Sequence, residues 1–201
     1  MNVKYTVIKV VLAIIIIVLA YFLYESIMRP VRFNKAVSER EDVVIDRLSD
    51  LRTSQQFFKK HYNRYTANFD SLITFLKTGE IPNVRMIPDP NDTTFSKTIY
   101  DTLGYVKVAD SLFSGRSGFD LNSLRYIPFT DNTEFEIAAG AVDRGGIKVG
   151  VYEIKAPYNI FLKGLDRQLV INLIKSKEDI DKYPGLKLGS MEEPSTDGNW
   201  E

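Results

Sequence analysis

From Val10 to Tyr24 the chain reads VVLAIIIIVLAYFLY, an apolar run without a charge. As a helix that stretch covers about 22 Å, short of the roughly 30 Å hydrocarbon core of a bilayer. Extended from Tyr5 to Met28 it reaches about 36 Å and takes in Lys9 and Glu25. Lys9 can snorkel to the head groups from its end, and Tyr5, Tyr21 and Tyr24 suit the interface belts. Four consecutive isoleucines with no polar position argue against a helix buried in a soluble core. Residues 1–29 are therefore expected to form a transmembrane anchor. The rival reading is a cleaved signal peptide, with Lys4 and Lys9 as its basic flank and Val18-Leu19-Ala20 as the cleavage site. The aromatic continuation Tyr21 to Tyr24 is an odd start for a mature chain.

Pro30 follows, at the first turn of a new helix or at a kink in a continuous one. Beyond it, to about Tyr62, apolar residues recur at helical spacing. Val37, Val44, Leu51, Phe58 and Tyr65 lie seven apart, with Leu48, Gln55 and Tyr62 as companions. This is a heptad-like seam, weakened by Glu41 and Gln55. Glu39, Glu41 and Asp42 come early and Lys59, Lys60 and His61 late, in line with the helix dipole. Residues 30–65 read as a long amphipathic stalk helix. Its stripe of Val37, Val44, Leu48 and Leu51 is expected to contact another copy or another subunit's helix, because the stretch from Pro30 to Val44 lies between bilayer and domain; the alternative is an amphipathic helix packed on its own domain, which folds back over this stretch. Leu51, Phe58 and Tyr62 are expected to lie under a sheet.

Asn63 to Thr66 ends this pattern. Asn68 or Thr66 can cap a second helix with the face Phe69, Leu72, Ile73 and Leu76, stopped by Gly79. Residues 80–98, with three prolines and Asn91-Asp92-Thr93-Thr94, read as a surface loop with at most a short edge strand. Later segments alternate with period two. Tyr105 to Val108, Leu124 to Phe129, Glu134 to Ala138 and Ile147 to Ile154 are expected strands, the last two joined by the turn Asp143-Arg144-Gly145-Gly146. Asp166 caps a short helix with Leu169, Val170, Leu173 and Ile174 on one face, and Pro184-Gly185 is a turn. Residues 66–201, with the end of the stalk helix, then form an α+β domain: a long helix packed on a small antiparallel sheet.

Composition narrows the function. The chain has 26 basic and 26 acidic side chains, one His and no Cys. Zero net charge argues against nucleic acid as a partner. The lack of Cys excludes disulfides, thiolate metal sites and Cys nucleophiles, and a single His removes most triads and His-metal sites. His61, among Lys59, Lys60 and Arg64, reads as a solvated helix end. No glycine pattern forms a phosphate-binding loop, and no pair of carboxylates stands out as catalytic. No cofactor is expected.

The stretch Arg52 to Thr66, with Phe57, Phe58, Tyr62, Asn63 and Tyr65, followed by Leu72, resembles the end of the long helix in the type IV pilin and pseudopilin superfamily. There an aromatic residue precedes an Asn-Gly-x-Tyr-Pro-like turn; here the Gly and Pro are missing. The resemblance spans about residues 5–76 and implies a membrane helix that continues into a stalk, a variable loop and a sheet packed against the stalk. Pilins carry a Gly or Ala before a peptidase cut and a Glu five residues into the mature helix. This chain has no Gly before residue 79, and Glu25 lies at the far end of the apolar run, so that processing is not carried over. Tyr183 to Ser190 and the ending Gly-Asn-Trp-Glu also look like envelope proteins of Gram-negative bacteria.

Pseudopilins use loop acids for calcium, which would draw here on the 89–120 region, with Asp89, Asp92, Asp101, Asp110 and Asp120. None of these runs has the spacing of a calcium loop. Four tripeptides, beginning at Asp70, Asp92, Asp101 and Asp110, read Asp-Ser/Thr followed by a small or apolar residue. Composition alone predicts roughly one. They resemble the acceptor motif of a periplasmic O-glycosylation system, which implies Ser71, Thr93, Thr102 and Ser111 as candidate sites. Asp-Ser and Asp-Thr are also ordinary helix and turn starters.

Charges flanking the apolar run leave its orientation open: Lys4 and Lys9 precede it, and Arg29, Arg32, Lys35 and Arg40 follow. Long domains translocate largely regardless of such charges. The expected place is the bacterial inner membrane, crossed once, with the C-terminal domain in the periplasm or outside. The expected role is non-enzymatic: a structural or assembly subunit of a pilin-like, secretion or adhesion complex. Its partners would be the lipid bilayer and either copies of itself or other single-pass envelope subunits. The alternative is an anchored periplasmic ligand-binding module or enzyme.

Overall fold

The computed structural model describes the backbone of residues 3–88, 98–116 and 118–201, and the side chains of 5–85, 101, 103–116 and 118–201. The protein is α+β. Its first element, α1 (Val3–Tyr62), is one helix of 60 residues, about 90 Å long. Pro30 lies inside it without ending it. The missing amide there removes one backbone bond, and an ion pair between Glu25 and Arg32 spans the proline.

The two halves of α1 have opposite surroundings. From Tyr5 to Tyr24 every side chain is exposed, Ile17 at 68%. From Phe33 to Phe58 one face is buried, with Val44, Leu48 and Leu51 at 0%. That face is the heptad-like seam, and it packs into the core of its own chain.

After α1 comes α2 (Phe69–Thr78), capped by Asn68, whose side chain accepts from the Ser71 amide. Phe69, Leu72, Ile73, Phe75 and Leu76 are buried, as the helical spacing predicts. This helix, not a sheet, covers the end of α1: the Phe75 ring lies 5.4 Å from Phe58 and 5.6 Å from Tyr62. Tyr62 stays half exposed.

Of the stretch expected to be mostly loop, residues 80–88 form a strand, and residues 89–97 lie outside the described residues. β1 (Glu80–Pro88) pairs antiparallel with β2 (Thr98–Lys107) as a two-stranded ribbon, with a register shift at Asn83/Val84. Proline is tolerated on such an edge because its nitrogen faces away from the ladder. Then follow α3 (Val108–Phe113) and a 3-10 turn (Leu121–Arg125). The turn replaces the strand expected from Leu124, because the Asp120 carboxylate caps the Asn122 amide and folds the chain locally.

The main sheet is β3 (Glu136–Arg144), β4 (Ile147–Pro157) and β5 (Gly185–Gly189) in the order β3-β4-β5, all antiparallel. The β3-β4 turn is where the sequence puts it. Gly145 and Gly146 have φ of 65° and 87°, and the Gly146 amide donates to the Asp143 carboxylate at 2.8 Å. Between β4 and β5 lie the single turn α4 (Tyr158–Phe161) and α5 (Arg167–Glu178), capped by Asp166. β5 was not legible from its own five residues. It needs Gly189, whose φ is 73° and where a Cβ would come within 2.3 Å of the Tyr152 carbonyl. It also needs the tail: the Asn199 side chain accepts from the Lys187 amide and donates to the Gly185 carbonyl, both at 2.9 Å.

Candidate functional site

What distinguishes this molecule is how a domain is mounted on a helix that extends bare beyond it. The mounting has an apolar seam and a row of polar contacts. Along the seam, Phe33, Val37, Val44, Leu48, Leu51 and Phe58 join Tyr152, Ile154, Phe161, Val170 and Leu188 in one cluster. The expectation that the stretch from Pro30 to Val44 lacks a partner in its own chain is therefore corrected. Val37, Val44, Leu48 and Leu51 are not an open stripe. The α4-α5 segment returns along the helix as far as Arg29, so apolar side chains that would forgo burial in water are covered from within.

The polar contacts follow the helix axis. Arg29 Nε donates to Asp166 Oδ2 at 2.7 Å. Arg40 donates to the carbonyls of Phe161 and Lys163 at 2.7 and 2.9 Å. The Tyr158 hydroxyl donates to Glu41 at 2.7 Å. Arg47 donates to the Ser123 hydroxyl at 2.9 Å and to the Ser123 carbonyl. Arg116 forks onto both oxygens of Asp50 at 2.6 and 3.0 Å, and Arg52 meets Glu201 at 2.6 Å. Gln55, wholly buried, bonds both backbone groups of Thr66. Glu41 and Gln55, which weaken the apolar repeat, are thus the residues that fix how the domain sits. Polar residues at core positions of a heptad pattern are the signal that points to them.

Burial shapes the electrostatics. The Tyr158 phenol is raised far above its ordinary value, first by burial and then by the Glu41 carboxylate that it bonds. The Tyr152 phenol is raised too, chiefly by burial and then by Tyr65. Its hydroxyl has no hydrogen-bond partner among the described residues. The Asp166 carboxyl is held below the usual range, first by the hydrogen bond from Arg29 and next by the Leu169 amide.

Beside the mounting lies a cleft of about 420 Å³, lined by Glu41, Tyr158, Lys177, Lys182, Tyr183 and Trp200 among others. Burial, helped by Glu136 and Glu153, pushes the Tyr183 phenol up to about 12. The lining combines the aromatic Tyr158, Tyr183 and Trp200 with charges of both signs, Lys177, Lys182 and Lys187 against Glu41 and Asp181.

Of the candidate glycosylation sites, Ser71 on α2 and Ser111 on α3 are exposed. Thr102 lies in β2, and Thr93 lies outside the described residues. Asp89 and Asp92 of the calcium region also lie outside them. Asp110 is in the first turn of α3, and Asp120 is occupied in capping the 3-10 turn. Among the described residues no group of three or more His, Cys, Asp or Glu is placed to hold a metal ion. His61 is exposed at the end of α1, its ring 4.6 Å from that of Tyr62.

Among the described residues one helix is long and apolar enough to cross a membrane, and its most apolar window is wholly unburied. No protein-family model matches the chain, and neither a curated protein nor a solved structure is similar to it.

Proposed function

We propose that this is a single-pass membrane protein of structural or assembly function. In this reading it holds a rigid α+β domain beside a bilayer, as a subunit of a pilin-like, secretion or adhesion complex of the bacterial envelope. The observation that carries it is the division of α1. One uninterrupted helix is bare and apolar from Tyr5 to Tyr24, and from Phe33 to Phe58 it is the spine of the domain. A hinge between anchor and domain would let the domain move freely; continuous helix with polar contacts on both sides of Pro30 transmits position and force instead. The buried seam moves the search for protein partners to other surfaces: the outer face of α1, where Val31 and Val43 are exposed, and the β1-β2 ribbon, where Leu103 and Tyr105 are exposed.

Topology mapping in native membranes tests this. Single cysteines at Ile147 and Gln56, in a chain that has none, should react with an impermeant thiol reagent from outside the inner membrane. Mass spectrometry of membrane-purified protein should recover residues from Lys9 to Glu25. Labelling only from the cytoplasm would sink the proposed location, and a mature N-terminus at Tyr21 would sink the anchored subunit.

The second reading, an anchored ligand-binding module or enzyme, is favoured by the cleft lined by Tyr158, Tyr183 and Trp200 with charged side chains of both signs. Saturable binding of a small anionic or aromatic molecule, lost in Trp200→Ala, would shift the assignment to it.

A further inference from the structure

The polar contacts set the height of each domain element along α1. Asp166, the cap of α5, meets Arg29. The carbonyls of Phe161 and Lys163 meet Arg40. Lys177, in the last turn of α5, shares a cleft with Glu41. So the N-terminal end of α5 lies nearest the apolar run, and its last turn lies at the level of Glu41. The rise agrees: the 12 residues of α5 span about 18 Å, as do residues 29–41 of α1. From Tyr24 to Arg29 the rise is about 7.5 Å, and the polar layer of one leaflet is about 5–7 Å deep. If Tyr5 to Tyr24 spans the bilayer, the chain around Asp166 lies at the level of the head groups.

The chemistry of that end suits the level. Glu25 is occupied by Arg32 and Asp166 by Arg29, and Asp131 lines a neighbouring pocket with Lys163 without forming an ion pair among the described residues. Lys163 and Arg167 are exposed, and neither pairs with a carboxylate among the described residues. Between them opens a mostly apolar groove of about 360 Å³ whose walls include Leu165, Val170, Ile171 and Ile174. Ile171 is 42% exposed. Side chains on a helix tilt toward its N-terminus, so those of α5 lean toward the bilayer. Basic side chains over an apolar surface are the composition that binds an anionic lipid interface.

We infer that the loop Gly164–Asp166 and the first turn of α5 rest on the head groups of anionic phospholipid, with Arg167 as the nearest contacting cation and the Lys163 side chain reaching toward them from its backbone position beside Arg40. The inference rests on the reading that Tyr5 to Tyr24 spans the membrane. A protein partner on the same groove is the competing occupant. The position beside the anchor and the unpaired cations favour lipid.

The test uses the full chain in nanodiscs of phosphatidylcholine alone, or of phosphatidylcholine and phosphatidylglycerol in equal parts. A fluorophore is placed on a single cysteine at Ile16, Gln168 or Ile147, the last at the far turn of the sheet. Quenchers attached to lipid head groups should quench the label at Gln168 several-fold more than that at Ile147. The excess should grow with phosphatidylglycerol. It should fall toward the Ile147 level in Lys163→Glu/Arg167→Glu, and also at 1 M salt, where the Debye length shrinks to about 3 Å. Equal quenching at Gln168 and Ile147, with the Ile16 label quenched from the acyl chains, overturns the docking and leaves the anchor standing. An Ile16 label outside the lipid overturns the anchor itself. Disulfide capture of a second copy through position 168 in native membranes assigns the groove to protein and overturns the lipid contact.

Discussion

The Gln55 side chain and the Thr66 backbone exchange two hydrogen bonds: Gln55 Nε2 donates to the Thr66 carbonyl at 2.6 Å, and the Thr66 amide donates to Gln55 Oε1 at 3.1 Å. This closes the turn between α1 and α2 from inside the core. Removing one partner of a buried pair leaves the other unsatisfied, at a cost of about 1–3 kcal/mol. Gln55→Ala is expected to lower stability by at least that much in denaturant titration. Thr66→Ala, which keeps both backbone groups, is expected to cost clearly less.

The seam is core, so its residues should behave as core. Leu48→Ala is expected to destabilise by about 2–5 kcal/mol, and the exposed Val43→Ala by under about 0.5. Cysteines at Val37 and Val44 should resist thiol reagents until the domain is unfolded, and should not cross-link to a second copy in the native protein. Ready capture at either position would show that the domain opens away from α1.

The Arg29–Asp166 contact sets a pH response. The folded Asp166 carboxyl is depressed, first by the hydrogen bond from Arg29. Its contribution is therefore present above the ordinary carboxylate range and lost as pH falls through the lower folded value. Thermal melts should show α5 held at neutral and mildly acid pH, with a loss at low pH that Asp166→Asn abolishes. A carboxyl resonance for Asp166 titrating at the ordinary aspartate value would refute the contact.

At the alkaline end the sign reverses. Tyr158 and Tyr152 are raised in the fold, mainly by burial, so their contribution is complete below the ordinary tyrosine value and is lost as pH rises above it. Ultraviolet titration should show these two phenols ionising only with unfolding. Tyr158→Phe should weaken the domain by leaving Glu41 unpaired. Tyr152→Phe, at a hydroxyl without a partner among the described residues, should be neutral or stabilising.

Local pattern was enough wherever an element's own residues determine it. The apolar run, the helical face of α2, the caps Asn68 and Asp166 and the Gly145-Gly146 turn are read directly from sequence, because each depends on neighbours a few positions apart. The fold class follows from the order of those elements. β1 and β5 exist through their pairing: β1 carries prolines that speak against a strand, and β5 is held by β4 and by Asn199 from the tail. Which side of the stalk seam faces its own domain was also beyond the pattern. A heptad stripe specifies a face to be buried without naming what buries it, since Val37 and Val44 are equally satisfied by another helix or by α4 and α5. Only the return of the chain to Arg29 decides that, through contacts across more than a hundred residues. The same long-range geometry turns Glu41 and Gln55 from flaws in a repeat into the contacts that seat the domain.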